Sequence, residues 1–259
     1  MKLVSYRAPG GEPLHGEVRD GRVVAFDDGS TVKDRLASGD HTPAGGPALA
    51  LDDVELLAPH VPRAIFGIGL NYLAHAREQG AEPPEAPIVF MKLPSSVAAP
   101  GAAVRAPAVV RRLDYEGELA VVMGAGGAIA GYAVADDLSA RDLQKREPQW
   151  TRAKGFDGSC PFGPWVTTAD EVAQPGDLAL RTWVNGELRQ DSRTSDLIFT
   201  IAQIVAFLRE TCTLEPGDLI LTGTPSGVGQ AMDPPRFLQS GDTVRIEIEQ
   251  LGTIEHAIA

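Results

Sequence analysis

Apolar and polar residues along this chain alternate mostly with the short period of strands. Val244-Arg245-Ile246-Glu247-Ile248-Glu249 alternates strictly and predicts a half-exposed strand. Gly16 to Ala25 predicts a hairpin turning at Asp20-Gly21. Thr182 to Arg189 predicts a second, turning at Asn185-Gly186. Short apolar runs at Ile65–Gly69, Pro87–Lys92 and Leu219–Leu221 read as further strands, and Val109-Val110 reads as strand-like. The longest uncharged stretch, Leu119 to Ala135, is interrupted by Gly124, Gly126, Gly127 and Gly131. It predicts strand–turn–strand and is short for a membrane span. Pro175-Gly176-Asp177, Pro216-Gly217-Asp218 and Ser240-Gly241-Asp242 are turns that each launch an apolar run.

Helical periodicity is rarer. Asn71 is placed to cap a helix from Tyr72 to Gln79, closed by Gly80. Ser139 to Gln144 resembles a short capped helix. Thr200 can cap a helix that carries Ile201, Ile204, Val205 and Leu208 on one face, a core-packing stripe. Strands outnumber helices and do not alternate regularly with them, which predicts an α+β, mainly β architecture rather than a doubly wound sheet. Residues 1–60 read as a small β-rich N-terminal domain with a Gly/Pro-rich loop from Leu36 to Pro47. Residues 61–259 read as the main domain.

The 259 residues are 43 % hydrophobic and 22 % charged, ordinary for a soluble globular protein. A formal net charge of −12 argues against nucleic acid or an anionic membrane as a partner, since both call for a basic surface. Cys160 and Cys212 are the only cysteines, which gives no disulfide framework and no thiolate metal site. With no signal-peptide core after Met1, a cytoplasmic location is expected.

The chemistry concentrates around Asp114-Tyr115-Glu116-Gly117-Glu118-Leu119. On a strand, Glu116 and Glu118 point the same way, one pleat apart. An antiparallel return after the glycine-rich turn brings Asp137 alongside them. Three converging carboxylates form the ligand set of a hard divalent ion, Mg²⁺, Mn²⁺ or Ca²⁺. Taken alone, Glu-x-Glu also fits an exposed strand face with solvated acids. His75 and Glu78, spaced i, i+3, share a helical face and suit a general base acting on water, or equally a surface pair. Arg141 and Gln144 share a face just after Asp137 and fit a substrate carboxylate or carbonyl as well as a solvated helix. Lys154 is flanked by small and apolar residues and can pair with the acids or with an anionic substrate, though most lysines are simply exposed. The turn from Thr222 to Gly229 lets backbone amides approach a ligand, but lacks the Lys-Ser/Thr of a phosphate loop. No Gly-x-Ser-x-Gly elbow supports a serine hydrolase, and the scattered His15, His41, His60 and His256 lack zinc spacing.

In series, several segments resemble the fumarylacetoacetate hydrolase family: Gly67-Ile68-Gly69-Leu70-Asn71-Tyr72-Leu73-Ala74-His75, Phe90-Met91-Lys92, Asp114 to Leu119, Gly131 to Gln144, Lys154-Gly155-Phe156-Asp157, Gly163-Pro164-Trp165 and Leu221-Thr222-Gly223-Thr224-Pro225. They occur in family order from about residue 64 onward. The resemblance implies a rolled β-sheet catalytic domain behind a small N-terminal domain, and a homodimer. It implies Mg²⁺ or Mn²⁺ on Glu116, Glu118 and Asp137. It implies a water-activating pair at His75 and Glu78, on a segment that orders when substrate binds. Arg141, Gln144, Lys154 and Thr224 match positions that hold substrate or the active-site network. The expected reaction is hydrolysis of a C–C bond in an acylpyruvate-like 2,4-dioxo acid through a stabilised enolate. The alternative is oxaloacetate-type decarboxylation or isomerisation of a hydroxymuconate-type oxo-diacid.

Overall fold

The longest uncharged stretch forms the centre of the molecule. In the computed structural model, which describes residues 1–259, Gly117–Met123 pairs antiparallel with Ile129–Asp136, Gly117 opposite Asp136. Both strands are buried on both faces, which is why their sequence is continuously apolar rather than alternating. Leu119, Val121 and Met123 enter one core cluster, with Ile246 and Ile254 of a second sheet. Ala120 and Val122 enter another, with Leu3, Phe162 and Val166. The alternation of a strand therefore glues two layers to opposite sides of one hairpin.

Twelve strands make the main sheet. Its path runs Ala48–Ala50, Arg22–Ala25, Pro13–Arg19, Lys2–Arg7, Cys160–Thr168, Ile129–Asp136, Gly117–Met123, Leu219–Leu221, Ile65–Gly69, Ile88–Lys92. Neighbours on this path are antiparallel except Leu219–Leu221 beside Ile65–Gly69, which is parallel. Residues 1–60 join the sheet through Lys2–Arg7, where Lys2 pairs with Thr167. A five-stranded sheet in the order Glu187–Arg193, Ala179–Val184, Thr243–Ile248, Gly252–Ile258, Ala103–Val104 covers the other side. The mainly β, α+β architecture is the one expected. No helix is long and apolar enough to cross a membrane.

Both hairpin turns fall where the dipeptides place them. Asp20 and Gly21 have φ of 51° and 71°, Asn185 and Gly186 of 51° and 78°, as the twist-matched two-residue turn requires. The helix Ile201–Arg209 starts at Thr200, whose hydroxyl accepts from the Gln203 amide in a capping box.

Three local readings are corrected. Val109-Val110 is a turn and loop, and pairing begins only at Leu113–Asp114, opposite Ser139–Ala140. Asn71 does not cap the following helix, which spans Leu73–Glu78 with Tyr72 at its N-cap. Its fully buried amide instead donates to the carbonyls of Phe199 (3.1 Å) and Thr222 (2.8 Å) and accepts from the Phe199 amide (2.8 Å). Cross-chain backbone groups outcompete the local cap there. Ser139 lies in a short strand and donates to the Asp137 carbonyl, leaving Arg141–Arg146 without a side-chain cap.

His60 sits at the junction where residues 1–60 meet the rest. Its Nε2 lies 2.7 Å from the Gly217 carbonyl and its ring packs edge-on to Phe162. Burial lowers its pKa to about 4. The folded state keeps it neutral while the unfolded chain binds a proton below about pH 6.5, so stability falls as pH drops through that window. Urea unfolding is expected to show about 2 kcal/mol of His60-linked loss between pH 7.5 and 5. His60→Gln, which retains a donor for Gly217, is expected to flatten that slope.

Candidate active site

Glu116 lies just before the central strand, where its backbone is held from both sides. Its amide donates to Asp136 Oδ1 (2.8 Å) and its carbonyl accepts from the Asp137 amide (2.9 Å). Glu118 is the second residue of Gly117–Met123, and Asp137 directly follows Ile129–Asp136. The hairpin register thus sets all three acids together: one ligand oxygen from each lies within 4.8 Å of the others, and all three residues are buried.

Three cations enter this cluster from separate elements. Lys154, ending the short helix Thr151–Lys154, places Nζ 2.5 Å from Glu116 Oε2 and 2.6 Å from Asp137 Oδ2. Lys92, ending the strand Ile88–Lys92, reaches Asp137 Oδ1 at 2.7 Å and also donates to the Lys154 carbonyl. Arg141, opening the helix Arg141–Arg146, bonds Asp114 Oδ2 through Nε (2.8 Å) and Glu116 Oε1 through a terminal nitrogen (2.6 Å). Its other terminal nitrogen donates to Gln144 Oε1 at 3.0 Å.

The consequence is an uneven distribution of charge. Burial raises the Glu116 pKa, but Arg141, Lys154 and His75 overrule it and hold this carboxyl well below its ordinary value. Burial likewise disfavours the Lys154 ammonium, and Asp137 and Glu116 restore it, so its pKa is raised. Glu118 has no salt-bridge partner. Burial, then Asp137 and Glu116, push its pKa well above normal, and the nearby Lys154 ammonium and the Gly223 amide donating to Oε2 at 2.7 Å compensate only in part. Gly223 has φ of +101°, a conformation that aims its amide inward and that a side chain would resist. A buried carboxylate lacking a cation beside two others is the donor set a hard divalent ion completes. Glu116, Glu118 and Asp137 fit such an ion, whose identity the oxygen ligands leave open between Mg²⁺, Mn²⁺ and Ca²⁺.

The cluster opens into a cavity of about 680 Å³, lined also by His75, Gln144 and Thr224. His75 and Glu78 do form a pair, with Nδ1 2.7 Å from Glu78 Oε1. The second Glu78 oxygen accepts from the Gly227 amide at 2.9 Å, docking the helix Leu73–Glu78 on the loop after Thr224. With Nδ1 engaged by a carboxylate, Nε2 is the ring nitrogen left to act as a base. Thr224 donates to the Gly117 carbonyl (3.0 Å) and accepts from Gln190 Nε2 (2.8 Å), so its hydroxyl braces the metal-side strand. Gln190 Oε1 accepts from the Gly117 amide at 3.0 Å. Phe90 and Trp150 wall the cavity with ring centroids 5.5 Å apart. Glycines make room for both rings, since a Cβ on Gly67 would sit 2.2 Å from the Phe90 ring and one on Gly69 2.9 Å from the Trp150 ring.

Every sequence-predicted residue therefore reaches one cavity or its immediate support, but Arg141 and Lys154 are engaged by the protein's own carboxylates rather than free for a ligand. Lys92, Asp114 and Gln190 have no assigned role in the sequence reading, and Asn71 only that of a cap. Asp114 had a signal, since it precedes Glu116 by two and so completes an alternating acidic triplet. Lys92 had a weaker one, a single charge closing an apolar strand.

The fumarylacetoacetate (FAA) hydrolase C-terminal model matches residues 64–259. Oxaloacetate tautomerase YisK of Bacillus subtilis (strain 168) is 44 % identical over 225 residues, covering 81 % of this chain and 74 % of the relative. Fumarylacetoacetate hydrolase of Exiguobacterium antarcticum superposes with a TM-score of 0.90 at 34 % identity, covering 100 % of this chain and 99 % of the other. The 5-carboxymethyl-2-hydroxymuconate delta-isomerase of Mycobacterium smegmatis superposes with a TM-score of 0.83 at 35 % identity and the same coverage. The family model, the sequence identities and the superpositions agree, and the chain belongs to the fumarylacetoacetate hydrolase family.

Proposed function

We propose that this protein is a keto–enol isomerase of a 2-oxo acid of the oxaloacetate type. The observation that carries the reading is the His75–Glu78 pair, 2.7 Å apart, on the same cavity as a carboxylate trio built for a cation. The relatives support isomerisation: YisK is named an oxaloacetate tautomerase and the M. smegmatis neighbour an isomerase. The expectation of C–C hydrolysis accordingly gives way as the leading reading.

The reaction asks the chain for one mobile proton and a place for developing negative charge. His75 Nε2 takes the proton from C3 of the keto form as the C–H bond breaks, and the electron pair delocalises toward the 2-oxygen. Glu78 stabilises the imidazolium that results. The imidazolium then gives that proton to the 2-oxygen, forming the enol O–H, and ketonisation runs the same path backwards, from that O–H through Nε2 to C3. A divalent ion on Glu116, Glu118 and Asp137 would supply the electrophile that acidifies C3 and fixes the neighbouring carboxylate. Lys154 and Arg141 hold Glu116 ionised, and Lys154 and Lys92 both bond Asp137. Phe90 and Trp150 keep water from one wall of the cavity.

A second reading keeps the same groups and has His75 deprotonate water, which then attacks a distal carbonyl. The E. antarcticum neighbour, named a fumarylacetoacetate hydrolase, favours it. The two readings separate in one assay series. Loss of the enol absorbance of oxaloacetate is expected to accelerate far above background, with little pyruvate released from acetylpyruvate. Rapid pyruvate release with no effect on the enol would reverse the order. His75→Ala is expected to lower turnover by about 10²- to 10⁴-fold, with Glu78→Gln falling between it and wild type. Unchanged turnover in His75→Ala would remove the proton-transfer assignment.

A further inference from the structure

We propose that Arg112 and Lys145 read a second, distal carboxylate of the substrate and so make the site selective for dicarboxylic 2-oxo acids. The proposal rests on the isomerase reading of this site and adds to it the residues that choose the substrate. Both side chains line the cavity and both residues are exposed. Neither makes an ion pair or a side-chain hydrogen bond within the chain, in contrast with the inner cations. Arg141, Lys92 and Lys154 are each already bound to Asp114, Glu116 or Asp137. A second carboxylate on the ligand finds no free cation at the inner end.

The fold places the outer pair deliberately close to the inner set. The Arg112 carbonyl accepts from the Arg141 amide at 2.9 Å, so the two arginines are backbone neighbours. Lys145 follows Arg141 by four residues on the helix Arg141–Arg146 and shares its face, about one turn or 5 Å further along. The Arg112 guanidinium lies 5.8 Å from the centroid of the Phe237 ring, which also lines the cavity and restrains that side chain. The nearest acids in sequence do not compete. Asp142 accepts from the Arg111 amide at 2.9 Å, and Glu147 pairs with Arg152 at 2.6 Å. Two unpaired cations on one cavity wall, in a chain of net charge −12, select for an anionic group at that end.

The test compares enolic oxaloacetate with its 4-methyl monoester, which removes only the distal charge. Wild type is expected to show a KM at least tenfold lower for the diacid. Arg112→Gln with Lys145→Gln, both at exposed positions, is expected to raise KM for the diacid about tenfold, with kcat within twofold and the monoester KM unmoved. Equal KM values for the two substrates in wild type would overturn the proposal and leave the isomerase reading standing. So would a double variant whose KM rises equally for both, since that is a structural effect. If wild type ketonises neither compound, the isomerase reading itself fails and this inference falls with it.

Discussion

One unpaired buried carboxylate organises this structure. Glu116 and Asp137 each form salt bridges with cations of the protein, whereas Glu118 forms none and is held by the Gly223 amide, with Lys154 acting on it only at longer range. Like charges confined in a low-dielectric interior repel strongly, and the chain leaves that repulsion partly unrelieved. Structural ion-pair networks do not need such an imbalance. A cation site does, because an ion that is to bind must find negative charge the protein has not already neutralised.

The rest of the fold serves to hold that imbalance still. The central hairpin fixes the spacing of the trio by register, with both its faces locked into separate cores. Asp114, Asp136 and Gln190 then fix the backbone just before and within it. Asp114 accepts from the Gly229 and Gln230 amides as well as Arg141, Asp136 holds the Glu116 amide, and Gln190 ties Gly117 to Thr224. His75 arrives from a different element, and the Gly227 amide on Glu78 sets the position of its helix against the loop after Thr224. Base and carboxylates are thus positioned by one shared loop, Gly223 to Gln230, which touches both.

The trio was legible in the sequence because strand periodicity and a glycine-rich turn are local signals, and together they predict which side chains meet. The Asn-Gly and Asp-Gly turns were legible for the same reason. Asn71 was misread because a polar residue between a strand and a helix looks like a cap, while its actual partners, Phe199 and Thr222, are over a hundred residues away in sequence. Arg141 was placed in the right cavity, but helical spacing cannot reveal that its guanidinium is shared between Asp114 and Glu116. Lys92 escaped because burial of a strand's last residue depends on what the tertiary fold lays over it, here Asp137 and the Lys154 carbonyl. The choice between isomerase and hydrolase was illegible for a deeper reason: both reactions use the same base and the same electrophile, and differ in whether water is admitted.

The central claim is that Glu118 is left without a counterion so that a divalent cation can bind. The most direct measurement is the thermal unfolding midpoint of chelator-treated wild type and Glu118→Gln, each with and without millimolar Mg²⁺ or Mn²⁺. The account predicts that the ion raises the wild-type midpoint. It also predicts that Glu118→Gln is at least as stable as wild type without the ion, because a like charge is gone, and gains little or nothing from adding it. A wild-type midpoint indifferent to both ions, or a Glu118→Gln midpoint that rises as far as wild type, would contradict it.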